Sequence, residues 1–155
     1  MRKYVIMGVQ GSGKGTQAEI LADIDYPAEM FDQPWMRPTY GAPDYIVRDL
    51  YREENGWWDR NPTTLHPAAP SEAAAAVRSA ITDPGAVVAR ARDLADAGET
   101  QLALHVIDLL ALGAGDEPEV LEAQALKAEL CRARASEVAP FVSKSCYRSS
   151  ARLLD

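Results

Sequence analysis

The stretch "VVARARDLADAGETQLALHVIDLLAL", residues 87–112, decides the fold. Its apolar residues recur at helical spacing on both sides of Gly98, and glycine is the residue that most easily ends a helix in a left-handed conformation. Val87, Ala91, Leu94, Gly98, Ala103 and Ile107 fall where a tetratricopeptide-like hairpin puts large, small, large, turn, small and large residues. Thirty-four positions after Val87 and Ala91 come Leu121 and Ala125, which suit a second hairpin, whereas Glu137 stands where a second Ala103 belongs. Between Leu102 and Leu112 the polar residues are His105 and Asp108. A helix apolar nearly all round is covered on most sides, so its second apolar side is expected to face another subunit.

Working outward, the chain stays helical on both sides. Asp83 and Pro84 open the first helix of the hairpin, and Ser71 can cap "SEAAAAVRSAI" before it. Beyond Gly113, Asp116 and Glu119 form a capping-box-like start for "PEVLEAQALKAELCRARA". Pro140 interrupts, and "PFVSKSCYRSSARLL" reads as a last helix. Before Pro70 the character changes. "WWDRNPTTLHPAAP" is irregular and rich in proline, while "APDYIVRDLYREENG" is helical, with Ile46, Val47, Leu50 and Tyr51 on one face and Asn55-Gly56 as its stop. From Asp23 to Pro43 no period is visible. This segment is expected to be an extended arm whose rings, Tyr26, Phe31, Trp35 and Tyr40, pack against something else.

The chain of 155 residues is long enough for a real core, with 47% hydrophobic and 25% charged residues. A net charge of −7 argues against a broad nucleic-acid surface, which needs clustered Lys and Arg. Cys131 and Cys146 form no C-x-x-C pair and read as two reduced thiols. No run reaches the ~18 apolar residues of a membrane span, and "MRKYVIMG" is too short to be a secretory signal. A cytoplasmic protein without membrane partners is the expectation.

At the other end, "KYVIMG" (Lys3 to Gly8) reads as a buried strand running into "GVQGSGKGTQA", Gly8 to Ala18. This opening resembles the start of adenylate kinase and related nucleoside monophosphate kinases, over residues 1 to about 22. The resemblance implies a nucleotide site at Gly8, Gly11, Ser12, Gly13, Lys14, Gly15 and Thr16. The backbone amides would wrap the phosphates, Lys14 would neutralise them, and Thr16 would lie near magnesium. The rest of the family's pattern is missing: no acceptor arginines, no lid, no later strands. A phosphate-loop strand belongs inside a parallel sheet covered on both faces. Without neighbours its buried amides and carbonyls cost ~1–3 kcal/mol each. The loop is therefore expected to be a vestige, with ATP and magnesium as ligands only if it functions.

The larger part carries a second resemblance. "GWWDRNPTTLHP", Gly56 to Pro67, and the helices after it look like the region following the catalytic domain in linear alkylsulfatases of the metallo-β-lactamase superfamily. The similarity covers about Ile24 to Asp155. It implies a dimerisation domain, a homodimer, and in full-length relatives a two-zinc catalytic domain upstream that hydrolyses alkyl sulfate esters. This chain holds only His66 and His105 as histidines, too few for a two-metal site, so no cofactor and no metal ligand set is expected in it. The metal domain could be supplied elsewhere, which keeps a part in alkyl sulfate hydrolysis open beside non-catalytic self-association and nucleotide binding.

Trp57, Trp58, Asp59, Asn61 and His66 are the distinctive group. By the resemblance this segment approaches the alkyl-sulfate pocket. By its residues it is a stiff turn, with Asp59 and Asn61 bonding the backbone and Pro62 fixing a bend. His105 and Asp108, three apart on one helix, can hydrogen-bond, either as a reacting pair or as a satisfied polar spot. The expected fold is mainly α: five or six helices in a tetratricopeptide-like hairpin array, with a short strand–phosphate-loop–helix appendage. The expected division is a phosphate-loop fragment (1–22), an aromatic and proline-rich arm with one helix (23–70), and an α-helical dimerisation domain (71–155).

Overall fold

Proline and glycine punctuate the helices. The computed structural model describes residues 34–42 and 56–154, together with Glu29, Asp32, Asp44, Tyr45, Arg48, Asp49 and Arg52. The expected strand Lys3–Gly8 and the phosphate loop after it lie outside these residues. Among the described residues there is no strand, and the α-helices whose bounds are described are α1 (Pro62–Leu65), α2 (Pro70–Ser79), α3 (Pro84–Asp96), α4 (Thr100–Ala111), α5 (Pro118–Glu137) and α6 (Phe141–Arg152), with a 3-10 turn at Pro34–Met36. Mainly α is therefore the fold class. The chain divides into two units, Met1–Arg37 with Ala42–Pro67, and Pro38–Gly41 with Ala68–Asp155.

The second unit contains the hairpin. α3 starts as its sequence dictates: Pro84 occupies the first turn, and the Asp83 carboxylate accepts the Ala86 N–H at 3.1 Å. It ends at Gly98, whose φ of +81° suits glycine. There the Gly98 N–H donates to the Ala95 carbonyl (2.9 Å) and the Glu99 N–H to the Leu94 carbonyl (2.8 Å), the paired closure that satisfies two end carbonyls. α4 begins immediately, with the Ala103 N–H on the Glu99 carbonyl. Its exit needs Gly113 for a different reason: an added Cβ would lie 3.1 Å from the Leu110 carbonyl oxygen and 3.5 Å from the Val120 side chain.

Two caps differ from expectation. Ser71 lies inside α2, where Pro70 takes the first turn and Ala69 is the N-cap. α5 starts one residue later than a box from Asp116 requires: Glu117 is its N-cap, without a side-chain bond, and Pro118 sets the first turn.

α4 is the centre of the packing. It packs against both α3 and α5, α5 carries α6, α3 touches α5, and α2 leans on α4. Ala91, Ala103 and Ala123 are fully buried and let the helix backbones approach, while Ile107, Leu110 and Val120 are the largest fully buried side chains. The first hairpin's positions go inside as read, with Val87 packed at the edge of the core. The second set does not: Leu121 and Ala125 are not in the core, and Val120, Ala123 and Leu126 are inward instead. α5 must satisfy α4 and α6 together, so its buried residues spread over more than one face and a single-face register fails.

A strap completes this unit. α6 begins after Pro140 without a side-chain cap. The carbonyls of Thr39 and Tyr40 take its first free N–H groups instead, from Phe141 at 2.7 Å and Val142 at 3.0 Å. Tyr40 stacks on Phe141 with centroids 6.2 Å apart. Both rings stay largely exposed, and so does Trp35, so the arm's described rings are not packed away as expected; Tyr26 and Phe31 lie outside the described residues.

In the first unit, Asp44, Tyr45, Arg48 and Asp49 are helical, as is Arg52, in line with the reading of that segment. Arg48 reaches back one turn to the Asp44 carboxylate. Gly56 has φ +82°, as a helix stop requires.

Candidate functional site

The "GWWDRN" segment forms a tight turn bonded within itself. Asn61 caps α1 by accepting the Thr63 N–H at 3.2 Å, and its own N–H donates to Asp59 Oδ1 at 3.0 Å. Thr64 Oγ1 donates to the Asn61 carbonyl at 2.9 Å and also meets the Asp59 carboxylate. The Trp58 indole N–H donates to the same Asn61 carbonyl at 3.0 Å, and the Arg60 guanidinium lies over the Trp58 ring, 5.5 Å from its centroid. Arg60 itself has φ +66°, the left-handed conformation that arginine adopts at a cost. Trp57 is 72% exposed. Thus Asp59 and Asn61 hold the bend as their residue types suggested, one indole is fixed, and the other is presented outward. His66 ends α1 and is exposed.

The polar clusters of the helical unit join elements rather than line a cleft. Asp108 pairs with Lys127 on α5 at 2.7 Å, so the expected His105–Asp108 partnership gives way to an interhelical ion pair, and His105 is exposed. Arg78 at the end of α2 meets Glu117 (2.6 Å) and Glu119 (3.2 Å). Glu117 is held below the usual glutamate range by its own backbone N–H and by Arg78. Glu137 joins α4 to α5: it accepts the buried Thr100 hydroxyl at 2.8 Å and Arg134 at 2.8 Å. The bonds from Arg134 and Thr100 lower the Glu137 carboxyl, and those to Glu137 and Tyr147 raise Arg134. Burial pushes the Cys131 thiol up, which keeps it protonated and unreactive. Among the described residues, no three His, Cys, Asp or Glu side chains come together in a way that could hold a metal ion. No helix among them is long and apolar enough to cross a membrane.

The apolar surplus of α4 emerges as read. One face of the helix is buried through Ala103, Leu104, Ile107, Leu110 and Ala111. Leu102, Leu109 and Leu112 point outward, each more than two-fifths exposed. What sequence reasoning missed is α2's part beside them, where Ala73 and Val77 lie one turn apart; that spacing was the available signal.

The family described as alkyl sulfatase dimerisation matches residues 16–155. The chain belongs to that family. The match starts earlier than the boundary near Ile24 that the resemblance implied, and leaves residues 1–15 outside it. Two solved structures are similar: the stereoselective inverting sec-alkylsulfatase Pisa1 from Pseudomonas sp., and a double mutant of the sec-alkyl sulfatase PisA1. Each is 26% identical with a TM-score of 0.73, over 89% of this chain and 22% of that one. No curated protein matches. The chain therefore spans about a fifth of the length of these sulfatases, and its described helices fall within the alkyl sulfatase dimerisation match. The likeness of the opening stretch to adenylate kinase is not borne out. Gly8, Gly11, Ser12, Gly13, Lys14 and Gly15 lie outside both the described residues and the family match, and Thr16 lies outside the described residues.

Proposed function

We propose that this chain pairs with a second copy of itself and serves, without catalysis of its own, as the self-association module of an alkylsulfatase-type protein. The observation that carries the reading is the dimerisation-family match over residues 16–155. A helix with leucines on both faces supports it: burial of one face builds the fold, and the other still offers apolar area for association. The serial hairpins α3–α4 and α5–α6 are in keeping with a tetratricopeptide-like array. Two differently tagged copies, co-expressed, are expected to co-purify through either tag; separate elution of the two would contradict the reading.

A second reading makes the module one component of alkyl sulfate hydrolysis, with a metallo-β-lactamase-type domain holding the two zinc ions elsewhere. The likeness to the sec-alkylsulfatases favours it. In that assembly Trp57, Trp58, Asp59, Asn61 and His66 would approach the alkyl-sulfate pocket, with the outward Trp57 ring offering apolar contact to a chain. Sulfate release from dodecyl sulfate in zinc buffer, measured with and without a candidate catalytic partner, tests it. No release in either case would remove this reading.

A further inference from the structure

The outward stripe of α4 runs Leu102, His105, Leu109, Leu112, a spacing of three, four and three that matches the seam of two helices packed side by side. Beside it, α2 and α4 frame an open groove of about 310 Å³, lined by Pro70, Ala73, Ala74, Val77, Leu109 and Leu112, with Asp108 at its edge. Large and small residues are thus placed next to each other on one patch. Leu109 and Leu112 line the α4 side of this groove, and the small residues Ala73 and Ala74 line the α2 side. A contact related by a two-fold axis uses the same patch on both partners, so that patch must carry both a shape and its complement.

Charge singles out the same face. The chain carries −7, so two copies repel wherever their acidic surfaces meet. Along the groove the charged lining residue is Asp108, and the Lys127 ammonium at 2.7 Å neutralises it. Desolvating this face leaves no lone charge of the lining buried. The other exposed large apolar residues of this unit, such as Leu121 on α5 and Leu153 after α6, lie on other elements.

We infer that the α2/α4 face is the surface on which a second copy of this chain docks, with Leu109 and Leu112 of each protomer packing against the small residues Ala73 and Ala74 of the other. The inference rests on the self-association proposed above and adds where it happens. Light-scattering mass measurements on the full chain over a dilution series test it, with Leu109→Arg and Ala73→Arg as interface variants and Leu121→Arg as the control. Ala73 is exposed and arginine suits a helix, so Ala73→Arg keeps its fold even if Leu109→Arg does not; helical circular dichroism checks both. The expected result is a wild-type dimer whose dissociation constant rises at least about 100-fold in each interface variant, and by less than about 3-fold in Leu121→Arg. Folded Ala73→Arg that dimerises like wild type overturns the inference and leaves self-association standing. Loss of pairing in Leu121→Arg alone moves the interface to α5 and also overturns it. A wild-type monomer sinks both proposals and gives the face to a partner other than this chain.

Discussion

The turn at residues 56–66 and the hairpin of α3 and α4 hold their shape by different means. In the turn the bonds are short in sequence: Trp58 to Asn61, Asn61 to Asp59, Thr63 to Asn61 and Thr64 to Asp59. None of these reaches beyond five residues, and no side chain of α1 is buried. The hairpin unit is held by apolar burial and by polar ties that cross it, such as Thr100 to Glu137, Tyr147 to Gln101 and Arg78 to Glu117. Local bonds fix a backbone path but little free energy, since each net hydrogen bond contributes ~1 kcal/mol and competes with water. Burial of whole side chains contributes more and acts cooperatively.

The largest test of that difference is Ile107→Ala. Ile107 is fully buried at the centre of the hairpin, and truncation removes its contacts and leaves a cavity. The expected loss in unfolding free energy by urea titration is ~2–5 kcal/mol. A loss below ~1 kcal/mol would mean that the core is not where the stability lies.

Next comes Gly98→Ala. A Cβ there meets nothing within 4 Å, so the cost is conformational only, from the φ of +81°. About 1 kcal/mol of destabilisation is expected in the same titration. A neutral result would show that the hairpin turn can reshape freely.

Asp59→Ala is the matched probe of the turn. It removes the acceptor of the Asn61 N–H and one of the two acceptors of the Thr64 hydroxyl, whose bond to the Asn61 carbonyl stays. The expected effect is ~0.5–1 kcal/mol, read as faster hydrogen exchange of the Trp58 indole N–H. A loss in the urea midpoint as large as that of Ile107→Ala would break the contrast between the two regions.

Acid gives the gentlest test. Glu117 and Glu137 both have carboxyls lowered in the folded state. Their contribution is therefore complete above the unfolded glutamate value of about 4.3 and fades as pH falls through the lowered folded values. Glu137→Gln is expected to flatten the loss of stability in that acid window, as followed by thermal melts from neutral pH down to the acid limit of folding. An unchanged slope would mean that the tie between Thr100, Arg134 and Glu137 carries no free energy.

The same contrast explains what could be read in the sequence. Asp83, Pro84 and Gly98 act within a few residues of themselves, so the bounds of α3 were legible, and so was the Asp59–Asn61 turn. Ala91, Ala103 and Ile107 were legible as core because one face of each hairpin helix meets its neighbour. α5 was not, since its rotation is settled by α4 and α6 jointly, and no spacing inside α5 encodes that. The partner of Asp108 was hidden for a similar reason: Lys127 comes from another helix, while His105 is nearer in sequence. The strap of Thr39 and Tyr40 on α6 joins residues about a hundred positions apart, and only backbone carbonyls make the bonds. No side-chain pattern marks such a contact.

Leucines on the outside of α4 as well as the inside are what a helical module that pairs with itself requires. Sedimentation equilibrium of the full chain measures that pairing most directly. The mass is expected to rise to that of two 155-residue chains and stop there by about 10 μM. A mass of one chain throughout that range would contradict self-pairing.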